Sequence, residues 1–559
     1  MRVTISQLNL HIGNFEGNLA KMLAAVETAK SQNSDLICFP ELAVCGYPAR
    51  DFFEFDDFIR RCQHSVEELR KVSQDIGIIV GSPTRNPVLA GKDLYNSAYF
   101  LYQGEIIGIQ HKALLPTYDI FDEYRYFEPA KEFKTILFKG KRIALVVCED
   151  IWNVGDENPL YTICPLDEMM LEKPDFIVNI SASPFDYAHA EARIRTVQAN
   201  VERYKIPMFY ANQVGGQTDV IFDGGSLVVS PDGAVYDEMP YFEECLKTYD
   251  LEEVMGFTQV VASRNAPSSV QASAGEQPKS KIKLIHDALV VGIHDYFYKL
   301  GFKKAILGLS GGIDSAVTAV LATKALGAEN VRVLLMPSQF SSGHSVDDAK
   351  QLAETLGIQY DIVAIKPMYD AFEEALKVQF AGQAFNVTEE NIQARVRGTL
   401  LMAMSNKFGN ILLNTTNKSE MSVGYGTLYG DMCGGISVLG DVYKTEIYEL
   451  VKYLNKDGEI VPQNTIVKPP SAELRPGQKD TDSLPPYEVL DPLLFQYIEC
   501  RKGPDELIAM GFDEALVKRV LRMVNINEFK REQAAPVLRV STKAFGMGRR
   551  MPIVGKYLS

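Results

Sequence analysis

The feature that most restricts the fold is the stretch Lys304-Ala-Ile-Leu-Gly-Leu-Ser-Gly-Gly-Ile-Asp-Ser315, which compresses an apolar strand, a glycine turn and a helix start into one short run. Ala305 to Leu309 predicts a buried strand, and Ser315-Ala-Val-Thr-Ala-Val-Leu-Ala-Thr-Lys324 predicts a helix that stops at Gly327. Gly308, Leu309, Ser310, Gly311, Gly312, Ile313, Asp314 and Ser315 make the connection. The adjacent glycines let backbone N–H groups converge at the positive end of the new helix, where fixed dipoles hold a phosphate. No Lys-Ser/Thr pair follows the glycines and their spacing is not GxGxxG, so this is neither a Walker loop nor a dinucleotide fingerprint. Asp314 would repel a bare phosphate and reads as a ligand for Mg²⁺ that accompanies the phosphates. Read from the residues alone, an ordinary strand-to-helix turn with Asp314 as N-cap is the alternative.

Three further strands follow this loop: Val331 to Met336, Tyr360 to Ile365 and Ile411 to Thr415, each reached through a helical stretch. That order predicts a doubly wound parallel sheet with ligands at its carboxyl edge. A helix from about Ile282 to Leu300 leads into the loop, and the tail from Thr465 is rich in Pro, Asp and Gly before ending in helices. Upstream, strands are predicted at Arg2 to Leu8, Asp35 to Phe39, Ile78 to Gly81, Leu94 to Leu101, Ile143 to Cys148, Phe176 to Ile180, Met208 to Ala211 and Ser226 to Ser230. Hairpin turns at Gln103-Gly104 and Pro231-Asp-Gly233 join some of them, so this part is a layered α/β domain with part-antiparallel sheets. Residues 263–281, holding Asn-Ala-Pro-Ser-Ser and Ala-Gly-Glu-Gln-Pro, lack periodicity and read as a linker. The expected domains are therefore 1–262 and 282–559.

A chain of 559 residues exceeds a single core, and its 46% hydrophobic and 23% charged residues fit globular domains. The net charge of −15 excludes a nucleic-acid surface, so anionic ligands must be held locally. No apolar run is long enough to span a membrane, and Met1 to Leu8 is too short and polar for a secretion signal. A cytoplasmic protein is expected. The eight cysteines are scattered, with no CxxC pair and no zinc spacing, and read as reduced thiols of which one can be catalytic.

Three stretches of the first domain place a reactive side chain at or near a strand end: Glu41 in Phe39-Pro-Glu-Leu-Ala, Lys112 in His111-Lys-Ala-Leu-Leu-Pro, and Cys148 in Val146-Val-Cys-Glu-Asp-Ile-Trp152. A thiol attacks an amide carbon as thiolate, which calls for a base and a cation: Glu41 and Lys112 are of the right kinds. Taken singly, each also reads as a solvated acid, a surface lysine and a core thiol.

The hexapeptide Ser310-Gly-Gly-Ile-Asp-Ser315 resembles the pyrophosphate loop of the N-type ATP pyrophosphatases, which cleave ATP between the α and β phosphates to adenylate a carboxylate or carbonyl oxygen. The Glu41, Lys112 and Cys148 stretches, in this order, resemble the nitrilase (carbon–nitrogen hydrolase) superfamily, whose triad sits on an αββα sandwich. That resemblance spans about residues 1 to 260 and implies a thioester intermediate and release of ammonia. Glu123 matches an additional Glu often found near the triad. Tyr118 and Ser183 match glutamine-holding positions of glutamine-dependent NAD synthetases. Where many of these have Gly-Lys beyond the Ser-Pro, this chain has Ala188-His189; His189 is expected among the glutamine-binding residues, and Arg193 or Arg195 as the substitute anchor for the substrate's α-carboxylate.

Glu390-Asn-Ile-Gln-Ala-Arg-Val-Arg397, Thr415-Thr-Asn-Lys-Ser-Glu420 and Gly424 to Asp431 resemble the NAD synthetase domain. By that resemblance Asn391 and Arg395 contact the dinucleotide, Thr415 and Lys444 contact ATP, and Glu420 serves as a ligand to Mg²⁺ or substrate alongside Asp314. Lys543 matches a substrate-contacting lysine, and Lys468 to Leu474 with Gln478 to Asp482 match a segment that closes over the site. Thr416 stands where the family often has Gly. Together the two resemblances imply glutamine-driven, ATP- and Mg²⁺-dependent amidation of deamido-NAD, with ammonia passed in a protected route, in a homo-oligomer that is a dimer or larger. The partners are small molecules, with no nucleic acid and no membrane. The alternatives are another amidotransferase on the same loop, and a nucleotide-sensing protein with an inactive centre.

Overall fold

The computed structural model describes residues 1–154, 160–258 and 280–557. The chain divides into two compact units, Met1–Gln277 and Pro278–Ser559. Of the expected linker, residues 263–279 lie outside the described residues.

The first unit contains two six-stranded sheets of the same plan. One runs in the order Cys245–Asp250, Arg2–Gln7, Leu36–Cys38, Gly77–Arg85, Leu94–Tyr102, Glu105–His111. The other runs Val235–Glu238, Leu227–Val229, Met208–Asn212, Phe176–Ser181, Lys141–Val147, Ile136–Phe138. In each, three parallel strands are flanked by antiparallel ones. The parallel strands are apolar on both faces, and alternation divides those faces between two neighbours. Val3, Ile5, Cys38 and Ile79 of one sheet meet Leu145, Val147, Val178 and Ile180 of the other in a single core. Ile37, Ile78 and Val80 turn the opposite way, onto Met22, Val26, Ile59 and Val66 of helices Phe15–Ser31 and Asp56–Val72. Ala144, Val146 and Ile177 likewise meet Leu166, Val197 and Val201 of Pro165–Met169 and His189–Tyr204. The result is the expected αββα sandwich.

The predicted strands all form, and both predicted hairpin turns join antiparallel pairs. Strands Glu105–His111, Ile136–Phe138 and Cys245–Asp250 escape the sequence reading; all three lie at sheet edges and lack the continuous buried apolar run of the central strands.

The second unit is built on a five-stranded parallel sheet in the order Gln359–Ile362, Val331–Leu335, Ala305–Gly308, Ile411–Asn414, Ile436–Ser437. The order reverses at Ala305–Gly308, which puts the glycine loop at the topological switch point. Helix Ile313–Leu326 is buried along most of its length, which explains its lack of an amphipathic stripe, and it ends at Gly327 in a positive-φ cap. A second core forms where helices Tyr487–Ile498 and Glu514–Ile526 pack on the short helix Lys418–Val423. One alternative is overturned: the N-cap of Ile313–Leu326 is Gly312, so Asp314 lies in the first turn with its carboxylate free to act elsewhere.

Candidate active sites

In the first unit, Glu41 follows strand Leu36–Cys38, Lys112 follows Glu105–His111, and Cys148 follows Lys141–Val147. All three are buried. Lys112 Nζ lies 2.8 Å from Glu41 Oε1 and 2.8 Å from Glu123 Oε1. Glu41 Oε1 also accepts from Asn96 Nδ2 (2.7 Å), and its Oε2 accepts from the Ala182 amide (3.0 Å). Glu123 accepts from Tyr47 Oη at 2.8 Å. Such a close approach of the Glu41 turn to its neighbour strand depends on Gly81, where a Cβ would come 2.2 Å from the Leu42 amide nitrogen.

Cys148 begins a single helical turn, Cys148–Ile151, with φ of 46°, a strained value for a residue with a side chain. Asp150 holds that turn. Its carboxylate accepts from the amides of Ala113 and Leu114 (2.9 Å each) and of Val147 (3.2 Å), tying the Lys112 strand end to the Cys148 strand end. Burial pushes the Cys148 thiol well up, Glu41 adds to this, and Lys112 opposes it. Burial works against the Lys112 ammonium, yet Glu123 and Glu41 hold its pKa well above the ordinary lysine range. Burial, with Glu41 adding to it, pushes Glu123 up to about 7 in spite of Lys112. Here a charged lysine is locked between two acidic side chains beside a protonated thiol, an arrangement fit for base-assisted attack on an amide and for holding the oxyanion that follows.

Around this centre, Tyr118 Oη and Tyr161 Oη donate to Glu149 (2.8 and 3.0 Å). Ser183 Oγ and His189 Nε2 are 2.6 Å apart, and the His189 ring stacks on Trp152 at 5.1 Å. Arg193 does not anchor a ligand: its guanidinium forms a two-pronged bond to Asp223 (2.8 and 2.9 Å) in the interior. Arg195 is exposed and pairs with Glu191 at 3.5 Å.

The second site is a cavity of about 280 Å³ at the carboxyl edge of the parallel sheet. Gly308, Leu309, Ser310, Gly312, Ile313, Asp314, Ser315, Thr415, Thr416, Glu420 and Lys444 all line it. Gly311 sits behind the loop with φ of 79°, where a Cβ would come 2.3 Å from the Ser345 carbonyl oxygen, so only glycine fits. Ser315 Oγ accepts from the Ser310 amide at 3.2 Å, and the Gly312 amide donates to Ser310 Oγ at 3.2 Å, which sets the loop's shape before any ligand arrives.

Asp314 forms an ion pair with Lys444 and accepts from Asn417 Nδ2 at 3.0 Å. Lys444 Nζ also stands 3.9 Å from Glu420 Oε1. Burial and the charge of Asp314 push the Glu420 carboxyl well up, against the pull of Lys444. Two carboxylates crowded in one wall fit a divalent cation. Among the described residues no group of three or more His, Cys, Asp or Glu is disposed to hold a metal. An ion here must complete its shell from phosphate oxygens and water, which is how Mg²⁺ binds.

Of the two stretches matched to a closing segment, Lys468 to Leu474 and Asp480 line the cavity. Lys468 pairs with Glu473 at 2.6 Å, and Glu473 accepts from Ser342 and Ser345 (3.1 and 2.9 Å). Asn391, Arg395 and Lys543 do not line this cavity. Asn391 Oδ1 accepts from Thr427 (2.7 Å), and the exposed Arg395 donates through Nε to the Leu428 carbonyl at 3.3 Å.

Residues 2–258 match the carbon-nitrogen hydrolase family and residues 285–534 match NAD synthase. The chain is 42% identical to the glutamine-dependent NAD(+) synthetase of Synechocystis over 99% of its length and 98% of that protein, and 40% identical to the enzyme of Thermotoga maritima over 100% and 99%. The chain belongs to the glutamine-dependent NAD(+) synthetase family. The Acinetobacter baumannii glutamine-dependent NAD+ synthetase, solved in complex with ADP, superposes with a TM-score of 0.76 at 38% identity, covering 100% of this chain and 99% of that one.

Several features of this synthetase fold were not legible as site residues. Lys418 is fully buried and meets Glu499 (2.8 Å), Ser541 (2.6 Å) and Asp441 (3.0 Å), which fastens the helix bearing Glu420 to the segment bearing Lys543. Asp150 and Asn96 are of the same kind. Each has an ordinary residue type for a loop or helix, and only its partners, far away in the chain, mark it.

Proposed function

We propose that the chain is a glutamine-hydrolysing NAD⁺ synthetase that converts deamido-NAD, ATP and glutamine into NAD⁺, AMP, pyrophosphate and glutamate. One observation carries the reading: a single chain matches carbon-nitrogen hydrolase and NAD synthase in succession, and is over 40% identical end to end to an enzyme of that name.

In the first unit, Glu41 takes the thiol proton as Cys148 Sγ attacks the amide carbon of glutamine. The oxyanion forms beside the Lys112 ammonium. Glu41 returns the proton to nitrogen, the carbon–nitrogen bond breaks, and ammonia leaves a thioester. Water, deprotonated by Glu41, then attacks the thioester carbon and releases glutamate with the free thiol. Tyr118, Ser183, His189 and Glu123 shape the glutamine pocket, and Arg195 and Arg193 are not needed for it.

In the second unit the nicotinate carboxylate oxygen attacks the α-phosphorus of ATP and pyrophosphate departs. Ammonia then attacks the acyl carbon, AMP leaves, and a proton is lost to solvent. The loop from Gly308 to Ser315 and Thr415 hold the nucleotide, and Lys444 neutralises the departing phosphates. Asn391, Arg395 and Lys543 hold the dinucleotide. Asp314 and Glu420 would hold Mg²⁺, which supplies charge neutralisation on the phosphates.

The same proposal includes the domain limits 1–262 and 282–559, a homo-oligomer, and a cytoplasmic setting. All eight cysteines are free, in keeping with a reducing compartment, and no helix of the described residues is long and apolar enough to cross a membrane. The test is Cys148→Ala, assayed with Mg-ATP and deamido-NAD. NAD⁺ formation should vanish with glutamine and persist with high ammonium. Loss with both nitrogen sources would refute the division of labour, and a wild-type protein that makes no AMP from deamido-NAD would refute the reaction.

A further inference from the structure

Three cations line the nucleotide cavity: Arg397, Lys444 and Lys468. Two are already matched, Lys444 with Asp314 and Lys468 with Glu473. Arg397 is different. Among the described residues it has no carboxylate within 4.0 Å, and its one hydrogen bond runs from Nε to the Met336 carbonyl at 3.1 Å. That bond aims the guanidinium. Met336 directly follows strand Val331–Leu335, the neighbour of Ala305–Gly308 on the side opposite to Ile411–Asn414. Arg397 therefore flanks the glycine loop on one side, while Thr415, Glu420 and Lys444 flank it on the other.

Arg397 lines the cavity, and its four remaining guanidinium N–H groups, those of Nη1 and Nη2, have no acceptor among the described residues. Burial draws the Arg397 pKa down to about 10, although Asp431 and Glu473 pull the other way from a distance. A half-buried guanidinium in this state is under-solvated and under-paired, which is costly unless an anion completes it. With Nε fixed, the Nη1/Nη2 edge is a planar fork of the width that two oxygens of one phosphate accept.

We infer that Arg397 is a phosphate-binding residue of the nucleotide site, its free fork gripping a phosphoryl oxygen pair of ATP on the flank of the glycine loop opposite Lys444. The inference rests on the synthetase reading and adds to it a residue that the Arg395 match does not include. Arg395, two positions away, lies outside the cavity lining, so the two arginines separate the phosphate fork from the dinucleotide contact expected of Arg395.

The experiment is titration calorimetry of the full chain with Mg-ATP, adenosine and deamido-NAD, for wild type, Arg397→Met, Arg397→Lys and Arg395→Met. The expected outcome is that Arg397→Met weakens ATP at least tenfold and leaves adenosine within twofold. Arg397→Lys should restore part of the loss, since a point charge replaces the fork, and Arg395→Met should leave ATP within twofold. Unchanged ATP affinity in Arg397→Met overturns the inference. So does a parallel loss of adenosine, which would mean a collapsed cavity, or a loss confined to deamido-NAD, which would place the fork on the other phosphate-bearing substrate. Failure of the wild type to bind ATP at all would instead defeat the synthetase reading itself.

Discussion

The two candidate sites solve opposite problems. The thiol site of the first unit is buried and its cation is matched: Lys112 lies between Glu41 and Glu123, and Asn96, Tyr47 and Asp150 hold the frame. The nucleotide site of the second unit is an open cavity whose charges are matched with one another, Lys444 with Asp314 and Lys468 with Glu473, with Arg397 left over. The side-chain amide that reacts is itself uncharged, so its site must carry the stabilising field ready-made. A nucleotide brings several negative charges, so its site holds cations in provisional pairs that the ligand and its cation can replace. Pre-organisation in one place and exchangeable pairing in the other follow from the charge of what each must hold.

The comparison is broken most severely by removing the nucleophile. Cys148→Ala should lower glutamine-driven turnover by about 10⁴-fold or more, since a covalent path is deleted, while ammonium-driven turnover stays near wild type. Quantifying NAD⁺ with each nitrogen donor checks this.

Gly311→Ala comes next. Its added carbon would meet the Ser345 carbonyl oxygen at 2.3 Å in a left-handed backbone, so the loop must shift as a whole. ATP-dependent turnover should fall by about 10²-fold or more while glutamine hydrolysis by the first unit continues, as single misplacements in a positioning loop cost about that much. Release of glutamate in the absence of ATP reports the second half of the statement.

A pH series sharpens the contrast further. Glu123 has its pKa raised to about 7 by burial, from an ordinary value of 4.5. The native state thus binds the proton more tightly than the unfolded chain, so Glu123's contribution is fully favourable below about pH 4.5 and is lost as pH rises towards 7. The loss is on the order of 3 kcal/mol. Glu123→Gln should flatten that fall in the protection of strand Lys141–Val147 against hydrogen exchange, and leave the strands of the second unit unaffected. A slope that persists in Glu123→Gln would assign it to another buried acid such as Asp150, whose pKa burial lifts to about 6.

The smallest effect belongs to Arg195→Ala. The side chain is exposed and its pair with Glu191 is 3.5 Å long, so the KM for glutamine should change less than twofold. A tenfold rise would mean that Arg195 swings onto the substrate's carboxylate after all.

The chemistry-bearing types were largely legible. The strand, glycine turn and helix of residues 304–327 form as their residues predict, because each choice is local: apolar run, positive-φ turn, helix formers and a glycine stop. The predicted strands of the first unit are likewise local statements; the strands missed are short or edge ones, together with the buried pair Val214–Gln217 and Val220–Asp223. That Glu41, Lys112 and Cys148 are the candidates came from matching whole stretches to a family, since any one of them reads equally well as a surface or core residue.

What residue order by itself determined is the set of local conformers and their two-face apolar patterns, because steric and hydrophobic preferences act over a few neighbours. What only the tertiary structure decided is which side chains share a space: that Arg193 is spent on Asp223, that Asp314 faces Lys444 instead of capping its helix, and that Arg397, not Arg395, enters the cavity. Two arginines two positions apart on a helix point about 200° from each other, so the choice between them is made by which face packs on the sheet. Charge pairing across strand ends is decided by sheet order and register, which no local preference encodes.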